Sequence, residues 1–459
     1  MNRIVPLIGC WLLLSVLGLV QAQETAAAKF EIATFSADIT PPVGHPLLGG
    51  LRSPAKSIKD PLACKGVVIL GGEKPVAIVS LDWCELRNDA YDKLRDSLAE
   101  AAGTTRVHVL LTCVHQHDAP YCDLTANSLL TAAGLKDPMF DPAFFDEMCK
   151  SMSAALKKSL ESKQAITHYG MGEAAVEKVA SNRRVMYSDG KPRFSRYSLT
   201  RDPAIRSAAP GLIDPKVKTL SFWNGEKAIA AISIYATHPM SYYGDGEVSY
   251  DFPGIARDLR QRTDPSVFQM YVSGCSGDVV AGKYNDGNEA SRRDLAQRLA
   301  EGMEKAWKET KKEPLTAIGF RSVPLELVPP DEGELSTKEL QATLDNPKEP
   351  AAQRIDAAMG LSYRKRCLAG QAIDVPLLDL GKAKYLVLPA EMFVHYQLEA
   401  QKLAPDSFLC VAGFGECAPG YIPSDSARKE GFLEEHGYSW VPADAEEKIL
   451  AALEKVLHP

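Results

Sequence analysis

The stretch that most constrains the fold is residues 109–120, which read VLLTCVHQHDAP. Its apolar first half predicts a buried β-strand, and that strand leads into His115 and His117. Residues two apart in an extended chain point to the same side, so both imidazoles can face one cavity at the end of the strand. Two titratable rings there favour metal binding or acid–base chemistry. The structural alternative is hydrogen bonding to backbone groups at a strand-to-loop corner.

Two other apolar runs end in the same manner. Residues 230–236 predict a strand that leads to His238 and then to Pro239, which cannot continue a β-ladder. Residues 386–391 read LVLPAE, so a third strand leads through a proline to Glu391. On sequence grounds this glutamate is better explained as an acid in the first turn of a helix. Histidines at several strand ends nevertheless predict a shared rim that holds a metal ion.

Alternating strand and helix patterns predict a mixed α/β fold, with a multi-stranded sheet core, flanking helices and the metal site at strand ends. The predicted elements include a hairpin of residues 66–70 and 76–81, a helix over 88–102 that stops at Gly103, and helices over 142–163 and 288–311. Residues 181–215 predict a loop over a site, and residues 329–370 a helical insertion or flap. No linker divides the chain, so residues 23–459 are predicted to form a single domain.

The formal charge of −7 over 459 residues excludes a nucleic-acid partner, because no basic stripe is available to neutralise phosphates. Residues 1–22 resemble a signal peptide with cleavage after Ala22, and no later segment is apolar enough to span a membrane. We therefore expect an exported protein, periplasmic or extracellular. Its nine remaining cysteines include two local pairs, which are either disulfides or buried thiols: Cys113 with Cys122, and Cys410 with Cys417.

The motifs together resemble the neutral (non-lysosomal) ceramidase family. They are SADITPP at residues 36–42, His-x-His at His115 and His117, His238-Pro239, GCSGDV at 274–279 and LPAE at 388–391. The resemblance runs in the same order from about residue 30 to the C-terminus. It covers the catalytic-domain part of the family and not the immunoglobulin-like C-terminal domain of its animal and pseudomonad members.

The resemblance implies one zinc ion. Its four ligands would be His115, His238, Glu391 and Tyr421, and for Tyr421 the sequence by itself favours an aromatic plug at a strand end. His117 would lie behind these ligands or touch the substrate, and Asp118 would orient a ring nitrogen. Arg183 would stabilise an oxyanion or bind a polar head group, with a solvated loop arginine as the alternative.

The chain departs from the family pattern at the nucleophile. Residues 277–282 read GDVVAG where the family reads GDVSPN, so Val280 stands at the position of the serine. Three explanations remain open: zinc-activated water attacks with His117 or Asp278 as proton carrier, Ser276 or another local group substitutes, or the fold and metal persist without amidase activity.

The leading expectation is an exported zinc hydrolase that cleaves an amide (N-acyl) or related acyl bond of a small molecule or lipid, including a substrate at a membrane surface. The alternatives are a non-catalytic protein that binds a lipid or carbohydrate in the same cleft, and a metallohydrolase of another ester or phosphoester. The sequence leaves the oligomeric state open.

Overall fold

The computed structural model describes residue 1 and residues 29–135, 138–241, 245–433 and 438–458. Within these ranges the helices are α1 (Asn88–Ala102), α2 (Leu124–Ala132), α3 (Pro142–Ser159), α4 (Pro203–Ser207), α5 (Asp251–Thr263), α6 (Glu289–Lys308), α7 (Thr337–Asp345), α8 (Ala351–Leu368), α9 (Val394–Leu403), α10 (Asp425–Lys429) and α11 (Ala445–Leu457). The strands are β1 (Glu31–Asp38), β2 (Ser57–Ile58), β3 (Ala63–Leu70), β4 (Val76–Leu81), β5 (Glu85–Leu86), β6 (Val109–Cys113), β7 (Tyr121–Cys122), β8 (Gln164–Ala165), β9 (His168–Ala175), β10 (Ser181–Asn182), β11 (Arg184–Met186), β12 (Pro192–Phe194), β13 (Lys216–Asn224), β14 (Lys227–Tyr235), β15 (Glu247–Val248), β16 (Phe268–Ser273), β17 (Val279–Val280), β18 (Lys311–Pro314), β19 (Gly319–Leu325), β20 (Ile373–Asp379), β21 (Ala383–Val387), β22 (Glu391–Met392), β23 (Phe408–Ala412) and β24 (Tyr421–Ile422).

Three mixed sheets form the framework. Their strand orders are β6-β4-β3-β1-β8, β16-β14-β13-β9-β18 and β19-β20-β21-β23. Each sheet contains one parallel pair, namely β4 with β6, β14 with β16, and β21 with β23. Parallel neighbours end at the same edge of a sheet, so side chains that follow them gather at that edge. With helices packed along the sheets, this architecture confirms the predicted mixed α/β fold.

The strand that leads to His115 is buried on both faces. Leu110 and Leu111 are fully buried and pack into different apolar clusters, as alternating residues of a strand do. The cluster around Leu110 also contains Ile232 from the second sheet and Tyr385 from the third. All three sheets therefore share one apolar centre, and this shared core brings their edges together.

Several predicted elements are confirmed closely. The hairpin forms as antiparallel β3 and β4, and α1 covers the predicted residues. Helix α1 ends at Gly103, which has a φ of 66° and donates its N–H back to the last turn. This left-handed conformation costs glycine little, which explains the stop.

Residues 329–370 include the helices α7 and α8, and their role as an insertion or flap stays a prediction. Helix α8 contributes Ile355, Met359 and Tyr363 to the largest apolar cluster. This burial favours an insertion that is packed into the core over a mobile flap. Residues 181–215 contain three short strands and α4 within otherwise irregular chain.

The nine cysteines of the described chain are all free thiols, and eight of them are buried. Neither Cys113 with Cys122 nor Cys410 with Cys417 forms a disulfide, so the buried-thiol explanation applies to both pairs. No helix in the described ranges is long and apolar enough to cross a membrane. Apart from Met1, the predicted signal peptide of residues 1–22 lies outside the described residues.

Candidate metal centre

Each of the three sheets contributes one side chain to a common point. His115 follows β6, His238 follows β14, and Glu391 opens β22 shortly after β21. The Nε2 atoms of the two histidines are 3.0 Å apart. Glu391 Oε2 lies 3.3 Å from His115 Nε2 and 3.2 Å from His238 Nε2. All three side chains are buried, so the cluster is shielded from bulk water.

Main-chain hydrogen bonds join the edges of the sheets at this point. Cys113 N–H donates to Phe414 O (3.0 Å), which ties the end of β6 to the loop after β23. Gly413 N–H donates to Ser273 O (2.9 Å), which ties the same loop to the end of β16. The position of the ligand atoms therefore depends on contacts between sheets and not on any single loop.

The other ring nitrogen of each histidine faces a carbonyl oxygen. His115 Nδ1 lies 3.1 Å from Cys84 O, and His238 Nδ1 lies 2.7 Å from Ser276 O. A carbonyl can only accept, so each Nδ1 carries the hydrogen and the neutral ring keeps its lone pair on Nε2. Arg183 Nη2, 3.3 Å from His238 Nε2, is a donor placed to meet that lone pair.

Three acceptor atoms thus face one another in a buried space. Glu391 Oε2 has no hydrogen-bond partner among the described residues. Clustered lone pairs in a low-dielectric interior repel unless a cation lies between them. A tetrahedral ion with ligands at about 2.0–2.2 Å would hold them roughly 3.2–3.6 Å apart, close to the separations seen here. Two imidazoles with a carboxylate suit a transition-type ion such as zinc better than Mg²⁺ or Ca²⁺, which prefer oxygen.

The pKa values describe the cluster when no metal is bound. Burial favours neutral Glu391, but His115 and His238 outweigh it and hold the pKa of Glu391 well below its usual range. Burial would lower the pKa of His115, but the Glu391 carboxylate outweighs burial and raises it. Burial and then the Arg183 guanidinium lower the pKa of His238 to about 4, so its ring is neutral at pH 7. These opposite shifts place the proton of the pair on His115 and not on Glu391, and a metal ion would compete with that proton.

The backbone at the site is strained. His115, Ala390 and Phe414 have φ values of 71°, 58° and 55° in the left-handed region. This region costs non-glycine residues about 1–2 kcal/mol each, and such strain concentrates at functional sites. The assumption that His115 lies in extended chain is therefore wrong, because β6 ends at Cys113 and the left-handed turn then aims the ring. Phe414 stacks on that ring, with centroids 4.2 Å apart and an interplanar angle of 15°.

Tyr421 lies beside Glu391, because β22 and β24 pair in parallel with these two residues in register. The Tyr421 hydroxyl hydrogen-bonds with Glu391 and Arg183, and the Arg183 guanidinium lies 5.2 Å from the centre of the tyrosine ring. Burial raises the pKa of Tyr421, while Arg183 acts in the opposite direction. The structure thus brings together all four residues that the resemblance implied as ligands.

His117 lies beside the cluster, with its ring centroid 4.9 Å from that of His115 and 5.4 Å from that of His238. Burial and then the two neighbouring histidines hold the pKa of His117 well below its usual range, so this ring is neutral at pH 7. Asp118 is buried, and its main-chain carbonyl accepts from Ser249 N–H (3.3 Å). Its role in orienting a ring stays a prediction.

Asp278 and Ser276 are near the site, but their side chains point to other partners. Asp278 Oδ1 accepts from Val394 N–H (2.9 Å) and Oδ2 from the Asn182 side-chain amide (2.7 Å). Ser276 Oγ donates to Gly274 O (3.2 Å), so its carbonyl and not its hydroxyl meets His238. These contacts favour structural roles for both side chains.

Val280 is fully buried beside His238, and a main-chain bridge joins the two residues. The neighbouring residue contributes as well, because Val279 O accepts from His238 N–H (2.8 Å). The main chain of the altered GDVVAG segment therefore still holds a histidine of the cluster in place, although Val280 has no hydroxyl.

Sequence reasoning missed Glu85 and Phe414. Glu85 is fully buried next to Glu391, with Oε1 3.6 Å from His115 Nδ1, and burial raises the pKa of Glu85 to about 8. One signal was present in the sequence: residues 82–85 read DWCE directly after the apolar run 76–81, another strand that leads to an acid. No comparable pattern marks Phe414, whose partner is distant in the chain.

No protein-family model and no curated relative matches the sequence. Solved structures do match. A ceramidase complexed with C2 has a TM-score of 0.68 at 15% identity, over 94% of this chain and 75% of that one. The neutral ceramidase from Pseudomonas aeruginosa has a TM-score of 0.66 at 14% identity, again over 94% of this chain and 75% of that one. The three-sheet framework described above is therefore the ceramidase fold.

Proposed function

We propose that the protein is a zinc-dependent hydrolase that cleaves an amide (N-acyl) or related acyl bond. The observation that carries this proposal is the set of three buried acceptor atoms of His115, His238 and Glu391, which lie 3.0–3.3 Å apart. The ceramidases that share the fold support the choice of an acyl amide.

In this proposal His115, His238, Glu391 and Tyr421 hold one zinc ion. When bound, zinc polarises the acyl carbonyl and lowers the pKa of water at the site. The Nδ1–H bonds of the two histidines to Cys84 O and Ser276 O keep both rings in the tautomer that offers Nε2.

Arg183 and His117 supply the remaining chemistry. Arg183 is buried and charged, and its Nη2 lies next to His238 Nε2, so it can stabilise the oxyanion that forms on the substrate carbonyl. His117 is neutral at pH 7 and adjoins both histidines, so it can accept a proton from water and deliver it to the leaving amine.

We propose water as the nucleophile. Val280 has no hydroxyl, and Ser276 Oγ is buried and donates to Gly274 O, so neither side chain is placed to attack a carbonyl. Both Asp278 oxygens accept hydrogen bonds from other groups, which favours His117 over Asp278 as the proton carrier.

The test combines metal content with turnover. Purified protein is analysed for zinc and assayed on fluorogenic N-acyl amides, with His115→Ala/His238→Ala as the variant and His168→Ala, a histidine outside the cluster, as the control. We expect about one zinc per chain in the wild type and the control, none in the double variant, and turnover that follows zinc.

Stoichiometric zinc without amide turnover, together with hydrolysis of ester or phosphoester panels, would replace the acyl-amide assignment with another metallohydrolase. Zinc without turnover on any panel would indicate a non-catalytic lipid- or carbohydrate-binding protein. Absence of zinc from the wild type would refute the metal assignment itself.

We also propose that residues 1–22 are removed on export, and that residues 23–459 act as one catalytic domain. The basic start, apolar run and small residues before Gln23 support cleavage after Ala22. N-terminal sequencing of protein recovered from the exported fraction checks this proposal, and an N-terminus at Met1 would contradict it.

A further inference from the structure

The first and third sheets reach the metal centre through the same succession of strands and α-helices. In each, a strand is followed by a two-residue strand, a helix, a second strand parallel to the first, and another two-residue strand. The succession is β4-β5-α1-β6-β7 in the first sheet and β21-β22-α9-β23-β24 in the third. The two-residue strands pair in parallel in both cases, with Glu85 in register with Tyr121 as Glu391 is with Tyr421. Glu85 is therefore the counterpart, in the first sheet, of a proposed metal ligand in the third.

The correspondence also holds residue by residue. Glu85 and Glu391 each lie four residues after the end of the preceding strand. His115 and Phe414 each lie two residues after the end of the second strand, and both have a left-handed φ, of 71° and 55°. The rings of His115 and Phe414 stack on each other, so the two units meet at the metal centre. This meeting brings their two glutamates side by side.

Glu85 touches two of the four proposed ligands. Its side chain hydrogen-bonds with Glu391, and its Oε1 lies 3.6 Å from His115 Nδ1. Arg87 lies on another side, with Nη1 3.6 Å from Glu85 Oε2. Glu85 is 1% exposed, and its Oε2 has no hydrogen-bond partner among the described residues. A buried carboxyl group that is not fully hydrogen-bonded is costly, so its place beside the ligands calls for a functional explanation.

The hydrogen bond between the two glutamates defines what Glu85 does. A bond between two carboxyl groups needs one hydrogen, and Glu391 must present a bare oxygen to a metal ion. Glu85 is therefore the donor of the pair. Arg87 donates instead to the hydroxyls of Tyr121 and Tyr438, which leaves Glu85 to interact with Glu391. A donor held in this way limits rotation of the Glu391 carboxylate, as the outer partners of metal ligands do.

We propose that Glu85 is a positioning residue of the metal centre, which orients Glu391 through their hydrogen bond and thereby sets the affinity for the ion. Glu85 is not a ligand itself, because it adjoins Nδ1 of His115, whereas the ion would lie at Nε2. The inference rests on the metal assignment of the proposed function. It does not depend on turnover or on the identity of the substrate.

The experiment measures the zinc affinity of the full chain by competition with a chromophoric chelator, and the melting temperature of the metal-free protein. Glu85→Met removes the donor, whereas Glu85→Gln keeps a donor in its amide, and both side chains are close to glutamate in volume. The matched control is Glu416→Met. Glu416 is another buried acid, 2% exposed, which accepts from main-chain N–H groups and has no described contact with the four proposed ligands.

We expect Glu85→Met to bind zinc about 10–100-fold more weakly than the wild type, and Glu85→Gln to stay within about threefold of it, because the donor is kept. Glu416→Met should lower the melting temperature of the metal-free protein, because two buried N–H groups lose their acceptor. Its zinc affinity in the folded state should equal that of the wild type. Rescue by glutamine separates orientation of Glu391 from a general loss of packing, which would not distinguish the two Glu85 variants.

A zinc affinity of Glu85→Met within about threefold of the wild type would overturn the proposal, and so would equal losses in Glu85→Met and Glu85→Gln. If Glu85→Met does not fold, Glu85→Gln decides, because a loss of about tenfold or more there contradicts the role of the donor. A wild type that binds zinc without turnover would refute the hydrolase and leave these affinities unchanged. A wild type that binds no zinc would refute the metal assignment and this inference with it.

Discussion

The buried ion pair between Asp82 and Arg257 provides a sharp test of how the fold positions the metal centre. Arg257, in α5, donates through Nη1 to Asp82 Oδ1 (2.7 Å) and through Nη2 to Oδ2 (2.9 Å). Asp82 is 1% exposed and Arg257 3%. The residues after Asp82 hold His115 directly, because Trp83 O accepts from His115 N–H (3.0 Å) and Cys84 O accepts from its ring.

Arg257→Met removes one partner of this pair and leaves the Asp82 carboxylate buried with few donors. Loss of one member of a buried, bidentate pair costs about 3–5 kcal/mol of folding free energy. Asp82→Asn/Arg257→Met removes both charges and should cost clearly less, roughly 1–2 kcal/mol, because no uncompensated charge remains. For a chain of 459 residues the unfolding entropy is about 1 kcal/mol/K, so the single variant should melt about 3–5 °C lower.

The assay is urea unfolding of the wild type, both single variants and the double variant, which together form a double-mutant cycle. We expect a coupling energy of at least about 2 kcal/mol, and zinc affinity in Arg257→Met should fall with the displacement of the chain that holds His115. The reasoning would be refuted if Arg257→Met lost less than about 1 kcal/mol of unfolding free energy. It would also be refuted if the loss in the double variant equalled the sum of the losses in the two single variants. Arg293→Met, which changes an exposed arginine, serves as the control.

Four further predictions follow from the site. Removal of zinc by a chelator should lower the free energy of unfolding by about 2.7 kcal/mol, relative to protein with free zinc at about 100 times its dissociation constant. In calorimetry this corresponds to a melting temperature roughly 3 °C lower, and an unchanged melting temperature would contradict a metal site in the folded state. As the pH is lowered, zinc affinity should fall about tenfold per pH unit once the His115 ring is protonated, because the proton competes with the metal. Because the pKa of His115 is raised, this competition begins at a higher pH than it would for an ordinary histidine. Titration calorimetry at several pH values measures the slope. Gly277→Ala should reduce zinc content, because the new Cβ would lie 2.1 Å from Glu391 O and displace that strand. Gly225→Ala adds backbone strain at a φ of 56° but has no atom within 4 Å of the new Cβ, so it should lower stability and leave zinc content unchanged. Val280→Ser should retain zinc and raise amide cleavage by restoring a hydroxyl beside His238, and an inert variant with intact zinc would mean that the cleft differs by more than this residue.

The sequence pattern predicted those secondary-structure elements that depend on interactions between residues close together in the chain. The strand over residues 76–81, α1 and its stop at Gly103 follow from side-chain periodicity and from the conformational freedom of glycine, both of which act over a few residues. The same reasoning placed His115 and His238 at strand ends, where polar side chains interrupt apolar runs.

Two of the four proposed ligands were not accessible to that reasoning. By pattern alone Glu391 was better explained as a helix-start acid and Tyr421 as an aromatic plug, and only the family resemblance implied them as ligands. Their pairing depends on β22 and β24, strands of two residues each that carry no periodic signal. Short strands form because the surrounding sheets hold the chain there, and a window of local sequence does not contain those sheets.

By itself, the sequence determined which side chains lie at the ends of buried strands, because a run of apolar residues and the polar residue that ends it are both visible within a few positions of the chain. Only the tertiary structure decided that three such ends, from three sheets, meet within 3.0–3.3 Å. It also decided that His115 is aimed by a left-handed turn against Phe414, and that Ser276 contributes its carbonyl to His238. These features arise from contacts between residues that are distant in the chain, because packing of the shared apolar core, and not local conformational preference, sets the positions of the sheet edges.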